Sequence, residues 1–217
     1  HDTIVAMIDT GIDYTHEDLK DTLWVNTDEI PGNGIDDDGN GYVDDVYGWN
    51  FYNNNNPIFT GEEDSHGTHG AGTISAGTGN GIGIAGIVPG NRVRVMALKA
   101  LGGTDGGGST AAVIKAIRYA EDNGAVICNL SLTSTVDDKA LYEAMKNSSM
   151  LFVVATGNGN PKTGKGVDTD AIPFYPAAYD LDNIISVANL SIDGTLSASS
   201  NYGKKTVDLA APGSYIP

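Results

Sequence analysis

A chain of 217 residues, 40% apolar and 18% charged, has the length and composition of a globular protein with a sizeable core. Its formal net charge of −16 excludes a nucleic-acid-binding face and points to bound cations or a salt-tolerant, secreted surface. The longest apolar runs are too short to span a bilayer, no internal repeat stands out, and a single cysteine rules out a disulfide within the chain. That cysteine, Cys128, follows Ala125-Val126-Ile127 and reads as a small core residue. The chain opens on His1 with no basic-then-apolar leader, so it is either cytosolic or has had its targeting segment removed.

In chain order, apolar and β-branched runs at 4–8, 93–98, 125–132, 150–155, 184–188 and 207–210 predict buried strands. Helical spacing appears at 111–123, through Val113, Ile114, Ile117 and Ala120, and at 138–147, through Ala140, Leu141, Ala144 and Met145. The alternation predicts one α/β domain over 1–217, a three-layer, mostly parallel sheet with helices on both faces. In such sheets the working groups gather beyond the carboxyl ends of the strands.

Three of these ends are polar. The first strand closes as Met7-Ile8-Asp9-Thr10-Gly11, the third as Asn129-Leu130-Ser131-Leu132, and the fourth as Ala155-Thr156-Gly157-Asn158-Gly159, where glycines allow a sharp turn around an amide. Between the first two strands, "EEDSHGTHG" sets His66 and His69 three apart behind the carboxylates Glu62, Glu63 and Asp64. Zinc is one reading of that cluster. A catalytic zinc motif, however, spaces its histidines four apart with a third ligand beyond, and neither His1 nor His16 is placed to complete one. An acid, a histidine pair and an amide donor can instead converge on one sheet edge.

A second constellation concerns cations. "GIDDDGNGYVDD" offers Asp36, Asp38, Asn40, the Tyr42 carbonyl and Asp44 at alternating positions, with Gly41 at the turn. Oxygen ligands in that rhythm suit a calcium loop, although Tyr47 stands where a helix-loop-helix site has its glutamate. A solvated acidic turn is the alternative.

The stretches "AMIDTGID", "SHGTHGAGT" and "VVATGNG" resemble, in this chain order, three successive signatures of the subtilisin-like serine proteases, and the resemblance extends from Asp9 to Pro212. It implies an endopeptidase in which Asp9 is the acid, His66 the general base with His69 in support, and Asn158 the amide of the oxyanion hole. The glycines after His66 would let its helix lie close against the sheet. Polypeptide substrates would pair along two backbone edges, one resembling Gly106-Gly107-Gly108 and the other Leu130-Ser131-Leu132, beside Gly157. Thr133 departs from the family's common glycine and is expected to crowd the primary specificity pocket, whose base resembles Tyr175-Pro176-Ala177. The resemblance also implies a stabilising calcium site, with Asp18 as a carboxylate ligand and "TGNGIGIAG" supplying the Asn80 side chain and the carbonyls of Thr78, Ile82 and Ile84.

"VDLAAPGSYIP" resembles the stretch shortly before the family's Gly-Thr-Ser nucleophile motif, and no serine among these 217 residues stands in such a motif. The expectation is therefore a partial, secreted catalytic domain, clipped before its first core strand and lacking the nucleophile segment. Its partners would be polypeptide substrates and a propeptide or the remaining C-terminal segment of its own domain. Two other readings are a subtilase-like protein that binds without cutting and a calcium-dependent extracellular binding module. The intact Asp9, His66 and Asn158 count against both.

Overall fold

The first strand, β1 (Thr3–Asp9), is buried from Val5 onward, as expected of a strand covered on both faces. It belongs to a computed structural model that describes residues 2–89, 92–160 and 162–217. The chain divides into two compact units, His1–Cys128 and Asn129–Pro217. After β1 the first unit holds β2 (Gly48–Asn50), α1 (Ser65–Ser75), β3 (Val93–Lys99), β4 (Leu101–Gly102), β5 (Gly107–Gly108) and α2 (Thr110–Asp122). β6 (Ile127–Leu130) crosses the boundary. The second unit holds α3 (Lys139–Lys146), β7 (Leu151–Ala155), β8 (Ile184–Leu190) and β9 (Leu209–Pro212).

In the first unit β3 lies between β2 and β1, all parallel, so that Asn50, Lys99 and Asp9 end in step at the carboxyl edge. Side chains alternate across the strands. Val5 and Met7 of β1 join Val95 and Ala97 of β3 and Ala71 of α1 in one core. Ala6, Ile8, Met96 and Leu98, on the opposite face, are also fully buried. Gly124, just past α2, approaches Ile4 on that second face, so helices cover both sides here. The buried stripe of α2, Val113, Ala116, Ile117 and Ala120, matches its helical spacing, and Ser109 caps it by accepting from the Ala112 N–H.

The second unit repeats the parallel pattern with β8 between β7 and β9. Asp138 caps α3 through the N–H groups of Ala140 and Leu141. Asn183 donates to the carbonyls of Met145, Ser148 and Met150, fastening the exit of α3 to the start of β8.

The architecture is the mostly parallel α/β sheet that the alternation predicts, with differences at the ends. β6 stops at Leu130, so Ser131 and Leu132 lie beyond the strand, and β9 begins at Leu209 and runs to Pro212. β2 has no counterpart in the sequence reading. It is three residues long and opens on Gly48, where a Cβ would sit 1.9 Å from the Ala97 carbonyl oxygen. Close backbone approach, not apolar periodicity, makes that strand.

Candidate active site

Asp9 ends β1 with no solvent exposure, and its Oδ1 lies 2.8 Å from Nδ1 of His66, in the first turn of α1. The same oxygen accepts from the Thr10 N–H at 2.6 Å. A carboxylate can only accept here, so Nδ1 carries the imidazole proton and Nε2 is the free basic nitrogen. The His66 side chain is 62% exposed, so a buried acid holds an accessible base. The hydrogen bond to Asp9 holds the imidazole above the ordinary histidine value, and partial desolvation opposes it.

Close packing makes the contact possible. A Cβ on Gly67 would meet the Gly11 carbonyl oxygen at 2.2 Å and the Asp9 Cβ at 3.2 Å, and one on Gly70 would meet the Met7 methyl at 2.3 Å. Larger residues at these positions would lift α1 off the strand and take His66 away from Asp9.

Two residues beside the pair escape sequence reasoning. Lys99, 1% exposed, donates to Asp64 Oδ1 at 2.6 Å, to the Thr10 carbonyl at 2.6 Å and to the Leu101 carbonyl at 3.1 Å. Asp64, grouped in the sequence with the solvated Glu62 and Glu63, is fully buried, and its Oδ2 accepts from the N–H and hydroxyl of Thr60. A lysine closing an apolar strand was the only signal, and its partner lies 35 residues away in the chain. His69 is exposed one turn along α1.

The glycine edge forms a small antiparallel pair, Gly107 and Gly108 opposite Gly102 and Leu101, with Gly106 at a φ of 63° leading in. In the second unit, Asn158 follows β7, is exposed, and its side-chain amide has no partner among the described residues. Asn201, also missed by the sequence reading, shapes the turn before it. Fully buried, it donates from its amide to the Thr156 carbonyl at 2.8 Å and from its backbone N–H to the Gly157 carbonyl at 2.9 Å. Gly157 has a φ of 97°, and its missing Cβ would lie 3.4 Å from the Thr133 methyl, which places Thr133 directly against this turn. Leu130 is buried at the end of β6, Ser131 and Leu132 are half-buried, and Ser134 pairs with Tyr175 beside the cis Tyr175–Pro176 bond.

Of the cation ligands expected from the acidic loop, Asp36 and Asp38 come together, and Glu29 joins them with carboxylate oxygens within 4.8 Å of one another. Asp44 is not in that group, and its two oxygens accept from the N–H groups of Asn33 and Gly34. Asn40 spans the loop, receiving the Tyr42 N–H on its oxygen and donating to Asp38 and Asp45. Glu29 carries no motif signal, since it lies outside the loop's spacing.

At the other expected site the buried Asp18 accepts from the Asn80 amide at 2.6 Å and the Ile84 N–H at 3.0 Å, which hold its carboxyl below the usual range. Asn80 in turn accepts from the Ile82 N–H. Thr78, with Asp18 and Asn80, lines a cavity of ≈ 320 Å³ there. Gly77 and Gly83 form the cradle, where added Cβ atoms would come within 2.5 Å of Asn80 and 2.4 Å of Asp18. Asn80 presents its amide nitrogen, not its oxygen, to Asp18, so the Asp18 carboxylate lining this cavity is the group there that suits a hard cation such as calcium.

Residues 1–216 match the model of the subtilase family, peptidase S8. The chain belongs to the subtilase family. It is 35% identical to subtilisin-like protease 1 of Plasmodium falciparum, over 99% of this chain and 33% of that protein. Against the major intracellular serine protease of Bacillus subtilis identity is 36%, over 98% of this chain and 58% of the relative. For thermitase of Thermoactinomyces vulgaris the figures are 34%, 98% and 63%. This subtilase chain thus spans between a third and somewhat under two thirds of these curated relatives.

Among solved structures it resembles a lanthipeptide protease, with a TM-score of 0.68 and 26% identity over 99% of this chain and 56% of that one. It also shares the fold of the psychrophilic subtilisin-like protease Apa1 of Pseudoalteromonas sp. AS-11, with a TM-score of 0.70 and 24% identity over 97% of this chain and 41% of that one. No helix among the described residues is long and apolar enough to cross a membrane.

Proposed function

We propose that this subtilase chain supplies the acid, the base and the oxyanion amide of a serine endopeptidase that hydrolyses peptide bonds through an Asp-His-Ser triad. The observation that carries the reading is the buried Asp9 carboxylate bonded at 2.8 Å to Nδ1 of an exposed imidazole. Asp9 selects the tautomer in which Nε2 of His66 takes a proton from a serine hydroxyl, and it balances the imidazolium that results. The proton then passes from Nε2 to the leaving amine. Asn158, with its amide unengaged, suits the role of donor to the oxygen that gains charge as the carbonyl is attacked. The glycine pair of β5 and the backbone at Leu130-Ser131-Leu132 would bind extended peptide through main-chain groups, and Thr133 would limit the depth of the primary pocket.

No serine among the 217 residues stands in a Gly-Thr-Ser motif, so the nucleophile of this reading comes from outside them. An acid, a base and an amide do not replace it, and the 217-residue chain alone is expected to be inactive. The buried Asp18 carboxylate on its cavity, and the grouped oxygens of Glu29, Asp36 and Asp38, support bound calcium as a stabilising ion. The acidic surface supports an extracellular setting.

In the full-length protein, Asp9→Asn should lower turnover by about 10⁴ and His66→Ala should abolish it, with melting curves little changed. A serine-directed fluorophosphonate should label the full-length protein and leave the 217-residue chain untouched. Near-normal turnover in either variant, or stoichiometric labelling of the 217-residue chain, would sink the assignment.

A further inference from the structure

We infer that the buried Lys99–Asp64 ion pair is a positioning device that fixes where His66 stands relative to Asp9. The geometry is independent of the protease reading, and only its catalytic consequence rests on that reading. Lys99 is the register partner of Asp9 on the neighbouring strand, so its side chain leaves the sheet beside the acid. Its ammonium has three donors, and all three are used, on Thr10, Asp64 and Leu101. Thr10 directly follows the acid, and Asp64 stands two residues before the base. One buried cation therefore ties the strand end that carries Asp9 to the turn that carries His66.

The helix start shows the same division of labour. Asp64 occupies the N-cap position of α1 but makes no side-chain cap bond. Its oxygens are taken by Lys99 and Thr60 instead. The Gly67 N–H, which a capping side chain would ordinarily bind, donates at 3.1 Å to the Thr10 hydroxyl, and that hydroxyl donates at 3.1 Å to the Asp64 carbonyl. His66 is thus flanked on both sides by residues fastened to Thr10.

A buried ion pair is generally no more stabilising than packed apolar residues of the same volume, so directional geometry is what this pair contributes. The need is acute because Asp9 Oδ2 is buried without a hydrogen-bond partner among the described residues. Oδ1 alone, through His66 and Thr10, holds the carboxylate, and nothing else restores the contact if α1 slides.

The test is the double variant Lys99→Met/Asp64→Asn in the full-length protein, which removes one charge of each sign and leaves the net charge unchanged. Asp9 then remains the charged group in contact with His66, with Glu62 and Glu63 exposed before it in the chain and the titratable His69 exposed one turn along α1. Diethylpyrocarbonate, which modifies neutral imidazole, is applied across a pH series and the His66 adduct is located by fragment mass spectrometry. The midpoint of His66 modification is expected to fall toward that of an ordinary histidine, because the bond to Asp9 loosens. Peptide turnover, kcat, is expected to drop roughly ten- to a hundredfold with KM nearly unchanged, as a displacement of about 1 Å in a reacting group would cause. An unchanged midpoint in a folded double variant overturns the inference and leaves the pair a structural filler.

Should the double variant fail to fold, Asp64→Asn alone, which removes the anionic partner of Lys99 and keeps an oxygen acceptor in its place, is read the same way. If the unaltered protein cleaves no peptide, the protease reading fails, and the midpoint alone decides whether the clamp exists.

Discussion

Replacing Gly67 by alanine places one methyl group at the tightest contact beneath the His66 helix. The new carbon would begin 2.2 Å from the Gly11 carbonyl oxygen and 3.2 Å from the Asp9 Cβ, and both obstacles are parts of the strand end that cannot swing aside. To reach ordinary van der Waals separation, α1 and β1 must part by on the order of 1 Å, on a contact surface where close packing is the rule. His66 is the adjacent residue, so its 2.8 Å bond to Asp9 stretches with the helix. Overpacking of this kind costs about 1–3 kcal/mol, or a fall in Tm of roughly 2–12 °C for a chain of this size. The displaced base costs about a hundredfold in turnover. Gly72→Ala is the internal control, since on the same helix its Cβ would meet nothing closer than 3.9 Å. Relief of the glycine penalty there should raise stability by about 0.5–1 kcal/mol and leave activity unchanged. Thermal melts and peptide hydrolysis in the full-length protein measure both effects. A Gly67→Ala protein with normal Tm and turnover would refute the claim that helix-to-strand distance governs the Asp9–His66 pair.

Calcium at about 100 times its dissociation constant should add about 2.7 kcal/mol, and chelation at matched ionic strength should remove it. Glu29→Gln and Asp38→Asn should erase part of that gain while Asp44→Asn should not, and equal loss in all three would contradict the grouping seen here. Because the folded state raises the His66 pKa, its contribution to stability is fully present below about pH 6.5, the unfolded value, and is lost as pH rises through the folded value. Denaturant titrations across that range should show the loss, and Asp9→Asn should flatten it. The acid limb of kcat/KM should rise through the same folded value, since the base must be neutral to act. Asn201→Ala leaves the Thr156 carbonyl and the Val167 N–H without their side-chain partners and should cost about 1–3 kcal/mol for each. Unaltered melting would show that water replaces the amide.

Apolar runs at period two and period 3.6 are local patterns, so the sequence alone marked the main buried strands, the two amphipathic helices and the polar groups at strand ends. The short motifs around Asp9, His66 and Asn158 were legible for a related reason: glycines and polar residues at fixed spacing encode sharp turns and a helix start near a strand exit. Ligands offered by one loop, such as Asp36 and Asp38, were also readable. Glu29 was not, because it reaches the loop through folding and carries no spacing of its own.

The tertiary structure decided everything that depends on long-range contact. It showed Asp64 to be a buried partner of Lys99 instead of one more solvated acid, Asn201 to be the brace of the Gly157 turn, and Gly48 to be a strand residue because the backbone of β3 passes too close for a side chain. Burial gives a buried charge or amide its meaning, since its desolvation must be offset by a partner that chain order does not announce. The resemblance of its short motifs could name the acid and the base, but only the packing of α1 on β1 brings them within 2.8 Å.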